Sequence, residues 1–355
     1  MQPNASALEP YDPGFSPCRV NLSANENDYG LPAPVEDEMR LALSRTPTNR
    51  YPDPLSGELC GIIASWHGVA PEQVYVSNGG DEALFNLFLA FGGAGRTLLD
   101  CPPTFSVYAL YASMLGTTVR SVPRDPSTFA PDADALLAAA PECDLAILTS
   151  PNNPTGDLVD LDLVSRLCDE VPGIVLVDEA YGEFAPDGAS AASLMAVHDN
   201  LAILHTFSKA FSLAGARCGY VLADPGVVAA LAAVRQPYSV NVLTQAVAQV
   251  VARRHDDFLP QLSEIRRERG RLLESLQELG RTLPIQTWPS EGNFLLVRVP
   301  HASQVRERLR DDYSILVRDF SATPSLNDCL RVTVGTPRED DLLLDALVTL
   351  VKEEQ

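Results

Sequence analysis

Lysine is almost missing from this chain of 355 residues: Lys209 and Lys352 are the only two, and the other basic side chains are arginine. Basic charge as a whole is scarce, 26 Lys and Arg against 47 Asp and Glu, for a formal net charge of −21 at pH 7. A surface of that sign repels phosphate backbones and anionic lipid, which argues against nucleic acid and membranes as partners. The seven cysteines form no C-x-x-C pair, and the five histidines show neither H-x-x-x-H nor H-E-x-x-H spacing. The first absence leaves reduced thiols in a cytoplasmic setting as the expectation, and the second argues against a zinc site. No apolar run approaches the roughly 18 residues that suggest a membrane span. The opening "MQPNASALEPYDPG" has no basic segment followed by an apolar one, so no signal peptide is expected. Neither "FGGAGRT" nor "SNGGDEA" matches the dinucleotide or P-loop glycine pattern, which leaves nucleotide binding without support.

What the chain does have is a rhythm of short apolar runs. "QVYVSN" (73–78), "RTLLDCP" (96–102), "TTVRSVP" (117–123), "DLAILTS" (144–150), "GIVLVDEAY" (173–181), "LAILHTFS" (201–208) and "CGYVLAD" (218–224) read as strands. Several are apolar on both faces, as buried strands are. Helical patterns at 81–91, 105–115 and 161–171 lie between them. Alternation of this kind predicts an α/β fold with a mostly parallel sheet flanked by helices. From about residue 241 the texture becomes a long charged helical stretch, with Pro260 expected to kink or break it, followed by strands near 293–299, 314–320 and 329–335. That segment predicts a smaller α+β domain. The first forty residues, rich in Pro, Asn and Asp, read as an extended arm. The expected division is therefore 1–45 as arm and part of the small domain, 46–255 as the large domain and 256–355 as the C-terminal small domain.

Polar punctuation follows the strands: "SNGGDEA", "CPPTF", "SPNNPTG", "DEAY" and "TFSKAF". In open α/β sheets, ligand sites lie beyond the carboxyl ends of strands, so five such ends suggest one site. Lys209 just past a buried strand suits a desolvated amine with a lowered pKa, the form that attacks carbonyls. A random lysine is more often a surface residue, but here lysine is otherwise almost absent. Asp178 at the end of "IVLVD" needs a buried partner; a cationic ring nitrogen would serve, and a helix cap or a metal would be the plainer roles. The glycine turn at Gly80 and Asp81 opens a helix whose amides suit an anion, with Ser208 and Arg217 as further donors. Phe105 would pack in the core or present its face to a ring, and Asn153 would be turn punctuation or a donor.

Taken together, Asn153-Pro154-Thr155-Gly156, Asp178-Glu179-Ala180-Tyr181 and Ser208-Lys209 with Arg217 resemble the fold-type-I pyridoxal phosphate (PLP) aminotransferases in order and spacing. The resemblance runs nearly end to end and is narrowest toward the histidinol-phosphate aminotransferase family, through "LEPYDPG", "NLSANENDYG", "RYPDP", "SNGGDEA", "CPPTFSVY", "TFSKAFSLAGARCGY" and "DCLRVTVGT". It implies a PLP-binding large domain, with Lys209 bonded to the cofactor's aldehyde and Asp178 paired with the pyridine nitrogen. It implies Tyr181 and Asn153 at the phenolic oxygen, and Gly80, Asp81, Thr206, Ser208 and Arg217 at the phosphate. Asp81 is expected to act through its amide and not its carboxylate. The resemblance implies Phe105 stacked on the ring, and Tyr51 reaching the cofactor of the second subunit of a homodimer. Arg331, with Arg318 second, would grip the substrate's anionic group, bordered by Tyr11 and Asn25. Two positions depart from the family: Phe105 stands where tyrosine is frequent, and Asp28 where proline is common.

The implied reaction is transamination between histidinol phosphate and 2-oxoglutarate, giving imidazole acetol phosphate and glutamate. Rival readings are an aromatic amino acid aminotransferase and an amino-acid-phosphate decarboxylase on the same scaffold. A PLP-sensing module would need a basic nucleic-acid-binding partner domain that this chain lacks.

Overall fold

The computed structural model describes residues 16–353, and two sheets organise them. The larger has seven strands: β2 (Val74–Ser77), β3 (Thr97–Asp100), β4 (Thr118–Ser121), β5 (Leu145–Thr149), β6 (Ile174–Asp178), β7 (Leu201–Thr206) and β8 (Gly219–Ala223). Their spatial order is β2-β8-β7-β6-β5-β3-β4. All neighbours are parallel except at β8, which runs antiparallel to both β2 and β7. Every residue of β5, β6, β7 and β8 is buried, as their continuous apolar reading predicts. Strand side chains alternate faces, so Ala146, Leu148, Val175 and Val177 pack into one apolar cluster, and Leu145, Ile147, Ile174 and Leu176 into another. Each such Leu, Ile or Val contributes roughly 1.5–3 kcal/mol by leaving water.

The helices that cover this sheet start where capping chemistry allows. α3 (Gly79–Phe91) opens at the glycine turn with Asp81 and Glu82 in its first turn, where the helix dipole favours acid. α4 (Val107–Leu115) follows "CPPTF". α6 (Leu161–Glu170) is capped by Asp160, whose side chain accepts from the Asp162 amide. α8 (Val242–Arg253) is capped by Asn241 in the same way, through the amides of Leu243 and Thr244.

The smaller sheet has the order β1-β11-β12-β10-β9, with β1 (Val20–Leu22), β9 (Gln286–Thr287), β10 (Phe294–Arg298), β11 (Ile315–Asp319) and β12 (Cys329–Thr333). Only β1 pairs in parallel. α9 (Leu259–Leu279), α10 (Ala302–Tyr313) and α11 (Pro337–Glu353) pack with it.

Two expectations change. The N-terminal region is not simply an extended arm: β1 joins the small sheet, and α1 (Ala33–Arg45) buries Val35 and Met39 and packs against α8. Prolines there mark a helix start, where a missing N–H costs nothing, instead of preventing a helix. Pro260 likewise sits in the first turn of α9 and begins that helix; α8 has already ended at Arg253.

Candidate active site

The strand ends of the large sheet converge on a cavity of about 530 Å³ that residues of β11 and β12 close from the other side. Its floor is Asp178, the last residue of β6, paired in register with Thr149 at the end of β5. Asp178 is only 4% exposed. Its Oδ2 accepts a 2.6 Å hydrogen bond from the Tyr108 hydroxyl, and its Oδ1 accepts from the Ala180 amide at 3.0 Å. Burial pushes the carboxyl up to about 6, against the pull of those two donors. Tyr108 comes from α4, and because its own hydrogen goes to Asp178 it accepts from Thr149 Oγ1 at 2.8 Å.

Lys209 stands three residues beyond the end of β7. Its Nζ donates to the Ala24 carbonyl at 2.7 Å and lies 6.0 Å from the centre of the Tyr181 ring. Burial first, then the nearby Arg331 and Arg217 charges, bring the ammonium down to about 8. At that value a sizeable fraction of the amine is neutral near pH 7.5, the state a nucleophile requires.

One end of the cavity is a cradle of donors. Gly80 and Asp81 lie in the first turn of α3, with Thr206, Ser208 and Arg217 opposite. Thr206 Oγ1 donates to Ser208 Oγ at 3.0 Å and accepts from the Ser208 amide at 3.1 Å. Arg217 adopts a left-handed φ of 55° and lays its guanidinium across Gly79. A Cβ on Gly79 would come within 2.7 Å of Arg217 Nη2, and its own φ of +78° also calls for glycine. The Asp81 carboxylate pairs with Arg217 Nη2 at 2.9 Å, while its amide lies in the first turn of α3.

The walls are Phe105, set edge-on to Tyr108 at 5.6 Å, with Asn153 and Tyr181. Asn153 Oδ1 accepts from Arg331 Nη1 at 2.6 Å. Arg331 also donates to the Ser23 carbonyl at 2.6 Å, and its guanidinium carbon lies 5.6 Å from the ring centres of both Phe294 and Phe320. Arg318 opens into the same cavity. The donor set fits an anionic aromatic aldehyde: an amine of lowered pKa, a buried carboxylate on the floor, two amide or phenol groups on the wall and a cradle shaped around glycine.

The family model for aminotransferases of class I and II matches residues 19–347. The chain belongs to that family. It is 36% identical over 354 residues to a histidinol-phosphate aminotransferase of Chlorobaculum tepidum, covering 99% of this chain and 100% of that one. A relative of the same name from Carboxydothermus hydrogenoformans is 38% identical over 343 residues, covering 96% and 95%. The fold matches the crystal structure of histidinol-phosphate aminotransferase from Sinorhizobium meliloti in complex with pyridoxal-5'-phosphate, with a TM-score of 0.90, 26% identity and coverage of 100% and 98%.

Within this aminotransferase, two of the residues chosen from sequence fall outside the cavity. Tyr51 is 81% exposed and stacks on Tyr238 at 4.5 Å. Asn25 does not border the cavity: it is fully buried behind it and donates from Nδ2 to the Tyr181 hydroxyl at 2.9 Å. Its left-handed φ of 54° turns the side chain inward. Tyr11 lies outside the described residues. Conversely, Ser23, Ala24, Tyr108 and Phe320 reach the site without having been singled out. One of them had a signal: Phe320 is two residues beyond Arg318, just past the end of β11.

Proposed function

We propose that the chain catalyses transamination between histidinol phosphate and 2-oxoglutarate with pyridoxal phosphate as cofactor, a step of histidine biosynthesis in the cytoplasm. The observation that carries the reading is the pairing of Lys209, an amine lowered to about 8, with Asp178, a buried carboxylate at the floor of the same cavity. The cofactor supplies an aldehyde that condenses with amines and a ring that takes up electrons from the substrate's carbon.

The chain's residues do the rest. Lys209 Nζ would hold the aldehyde and, when freed by an incoming amine, would serve as the base and acid that moves the proton of the substrate carbon. Asp178 would keep a proton on the ring nitrogen. Phe105 would pack against the ring, and Asn153 and Tyr181 would donate to its phenolic oxygen. The amides of Gly80 and Asp81, with Thr206, Ser208 and Arg217, would hold the phosphate. Arg331, already oriented by Asn153, Ser23 and two aromatic rings, receives the anionic end of either substrate, assisted by Arg318. Asn25, proposed at first as a substrate neighbour, acts instead through Tyr181.

A homodimer completes the site in this reading, with Tyr51 reaching the second subunit's cofactor. Its support is that Tyr51 and Tyr238, stacked on each other, are both exposed, as are the apolar side chains Leu41, Leu43, Leu55 and Leu243. Among the described residues no helix is long and apolar enough to cross a membrane. The two sheets support the division into a large domain of 46–255 and a small one of 256–355, with 1–45 contributing to the latter through β1.

The deciding experiment compares glutamate formation from 2-oxoglutarate with histidinol phosphate, phenylalanine and tyrosine as amino donors. The expected result is a kcat/KM for histidinol phosphate far above the other two. Preference for the aromatic amino acids, or release of carbon dioxide from an amino-acid phosphate, would replace the reading with one of its rivals.

A further inference from the structure

Asn25 and Thr333 form a closed hydrogen-bonded unit behind the cavity, both at most 1% exposed. The Asn25 amide donates to Thr333 Oγ1 at 3.0 Å, and Thr333 Oγ1 lies 3.1 Å from Asn25 Oδ1. A threonine hydroxyl has one hydrogen and accepts through its lone pairs. Since Oγ1 accepts from the backbone, its hydrogen is directed at Oδ1. That fixes which way the Asn25 side-chain amide faces: Oδ1 toward Thr333, Nδ2 toward the Tyr181 hydroxyl at 2.9 Å. The Asn25 carbonyl is pinned in turn by Asn293 Nδ2 at 3.1 Å. The phenol oxygen of Tyr181 thus accepts from Asn25, and its hydrogen is turned away from Asn25.

We propose that Thr333, acting through Asn25, is a positioning residue that sets the Tyr181 hydroxyl as a hydrogen donor toward the cavity. Thr333 lies two residues from Arg331 on β12, so one strand of the small sheet carries both the substrate's arginine and the hydroxyl that fixes the ring-oxygen donor. The inference rests on the functional reading above, in which Tyr181 faces the cofactor's phenolic oxygen. A donor to an ionised oxygen favours the ionised form, so losing it raises the pH at which the neighbouring lysine-bound nitrogen releases its proton.

The test titrates the visible absorbance of the pyridoxal-phosphate-loaded protein against pH, alongside the cofactor's dissociation constant. Tyr181→Phe is expected to raise the midpoint, and Thr333→Val to raise it in the same direction by about half a unit or more. Thr333→Ser, which keeps the hydroxyl, is expected to stay at the parent value, and Thr333→Val is expected to add nothing in a Tyr181→Phe background. Asn25→Ala gives the same upward shift by an independent route if the valine variant folds poorly. A midpoint unmoved by both Thr333→Val and Asn25→Ala, while Tyr181→Phe moves it, overturns this inference and leaves the functional reading intact. A midpoint unmoved by Tyr181→Phe itself overturns the placement of Tyr181 and this inference with it.

Discussion

Two of the protein's buried carboxyl groups, Asp178 and Asp340, look alike until their surroundings are compared. Asp178 ends β6 at 4% exposure; Asp340 lies in α11 at 0%, facing Glu268 of α9, also at 0%. Each accepts from a backbone amide, Ala180 for Asp178 and Gly335 for Asp340, both at 3.0 Å. Burial raises both, and Asp340 more, because Glu268 opposes it with like charge. By the size of the shift alone, Asp340 would therefore outrank Asp178. The difference is what adjoins the carboxyl. Asp178 faces a cavity beside a lowered lysine, whereas the Asp340–Glu268 pair faces protein, with Arg271 bound to Glu268 at its edge. A shifted carboxyl marks a functional site only where space for a ligand adjoins it.

The sharpest way to break that comparison is to remove each carboxylate. Asp178→Ala is expected to lower kcat by on the order of 10³ or more, since in the proposed function it deletes the charge that would hold a proton on the ring nitrogen. Asp340→Asn is expected to stay within a few-fold of the parent in kcat while changing stability. Lys209→Ala, read by loss of the visible band and of borohydride trapping at residue 209, is the companion measurement. Comparable losses of kcat in Asp178→Ala and Asp340→Asn would erase the distinction.

Stability runs the opposite way to activity. Burial pushes the folded Asp178 carboxyl up to about 6, above its ordinary value of 3.8. Between those values the folded cofactor-free protein keeps a proton that the unfolded chain releases, so this residue's contribution falls as pH rises from about 4 to 6 and stays low above. Asp178→Asn is therefore expected to stabilise the cofactor-free protein at pH 8 by about 3 kcal/mol, and by little at pH 4. Denaturant melts at the two pH values check it.

Much of this site is legible in the sequence, and the limits are instructive. Lys209 and Asp178 stand out as polar residues at the ends of apolar strands, whereas Asn153 and Tyr181 stand out through the family pattern they share. Gly80 and Asp81 were visible as a glycine turn opening a helix. Tyr108 was not, because a tyrosine inside an apolar helix reads as core, and only the fold brings it within 2.6 Å of Asp178. Asn25 and Thr333 are 308 residues apart, so no local pattern joins them. Nor did proline-rich composition reveal α1, whose burial depends on α8, two hundred residues later.

Tyr108 sharpens the comparison further, since it is the donor that moderates Asp178 and that Asp340 lacks. Its hydrogen bond lowers the Asp178 carboxyl, so Tyr108→Phe is expected to raise that group and move the acid limb of kcat upward in pH. The loss at neutral pH is expected to be about tenfold, the size of one hydrogen bond to a charged group. An unchanged acid limb would show that burial alone sets the Asp178 carboxyl.

The smallest expected effect concerns a charge pair at the cavity's rim. Arg217 and Asp81 lie 2.9 Å apart, but their side chains are 44% and 50% exposed. Solvent screening leaves such a pair worth no more than about 1 kcal/mol. Asp81→Asn is therefore expected to change stability by less than that and to leave the pH dependence of kcat in place, because the residue's first-turn amide remains. What it does change is competition for Arg217. Without the carboxylate, the guanidinium is available to the phosphate alone, so the dissociation constant for pyridoxal phosphate is expected to fall a few-fold at low salt, with the difference shrinking as ionic strength rises. Weaker cofactor binding in Asp81→Asn would mean that the carboxylate orients Arg217 for the phosphate instead of competing with it. In that case the rim would behave like the floor, with a side chain fixed by a partner, and exposure would no longer separate the two.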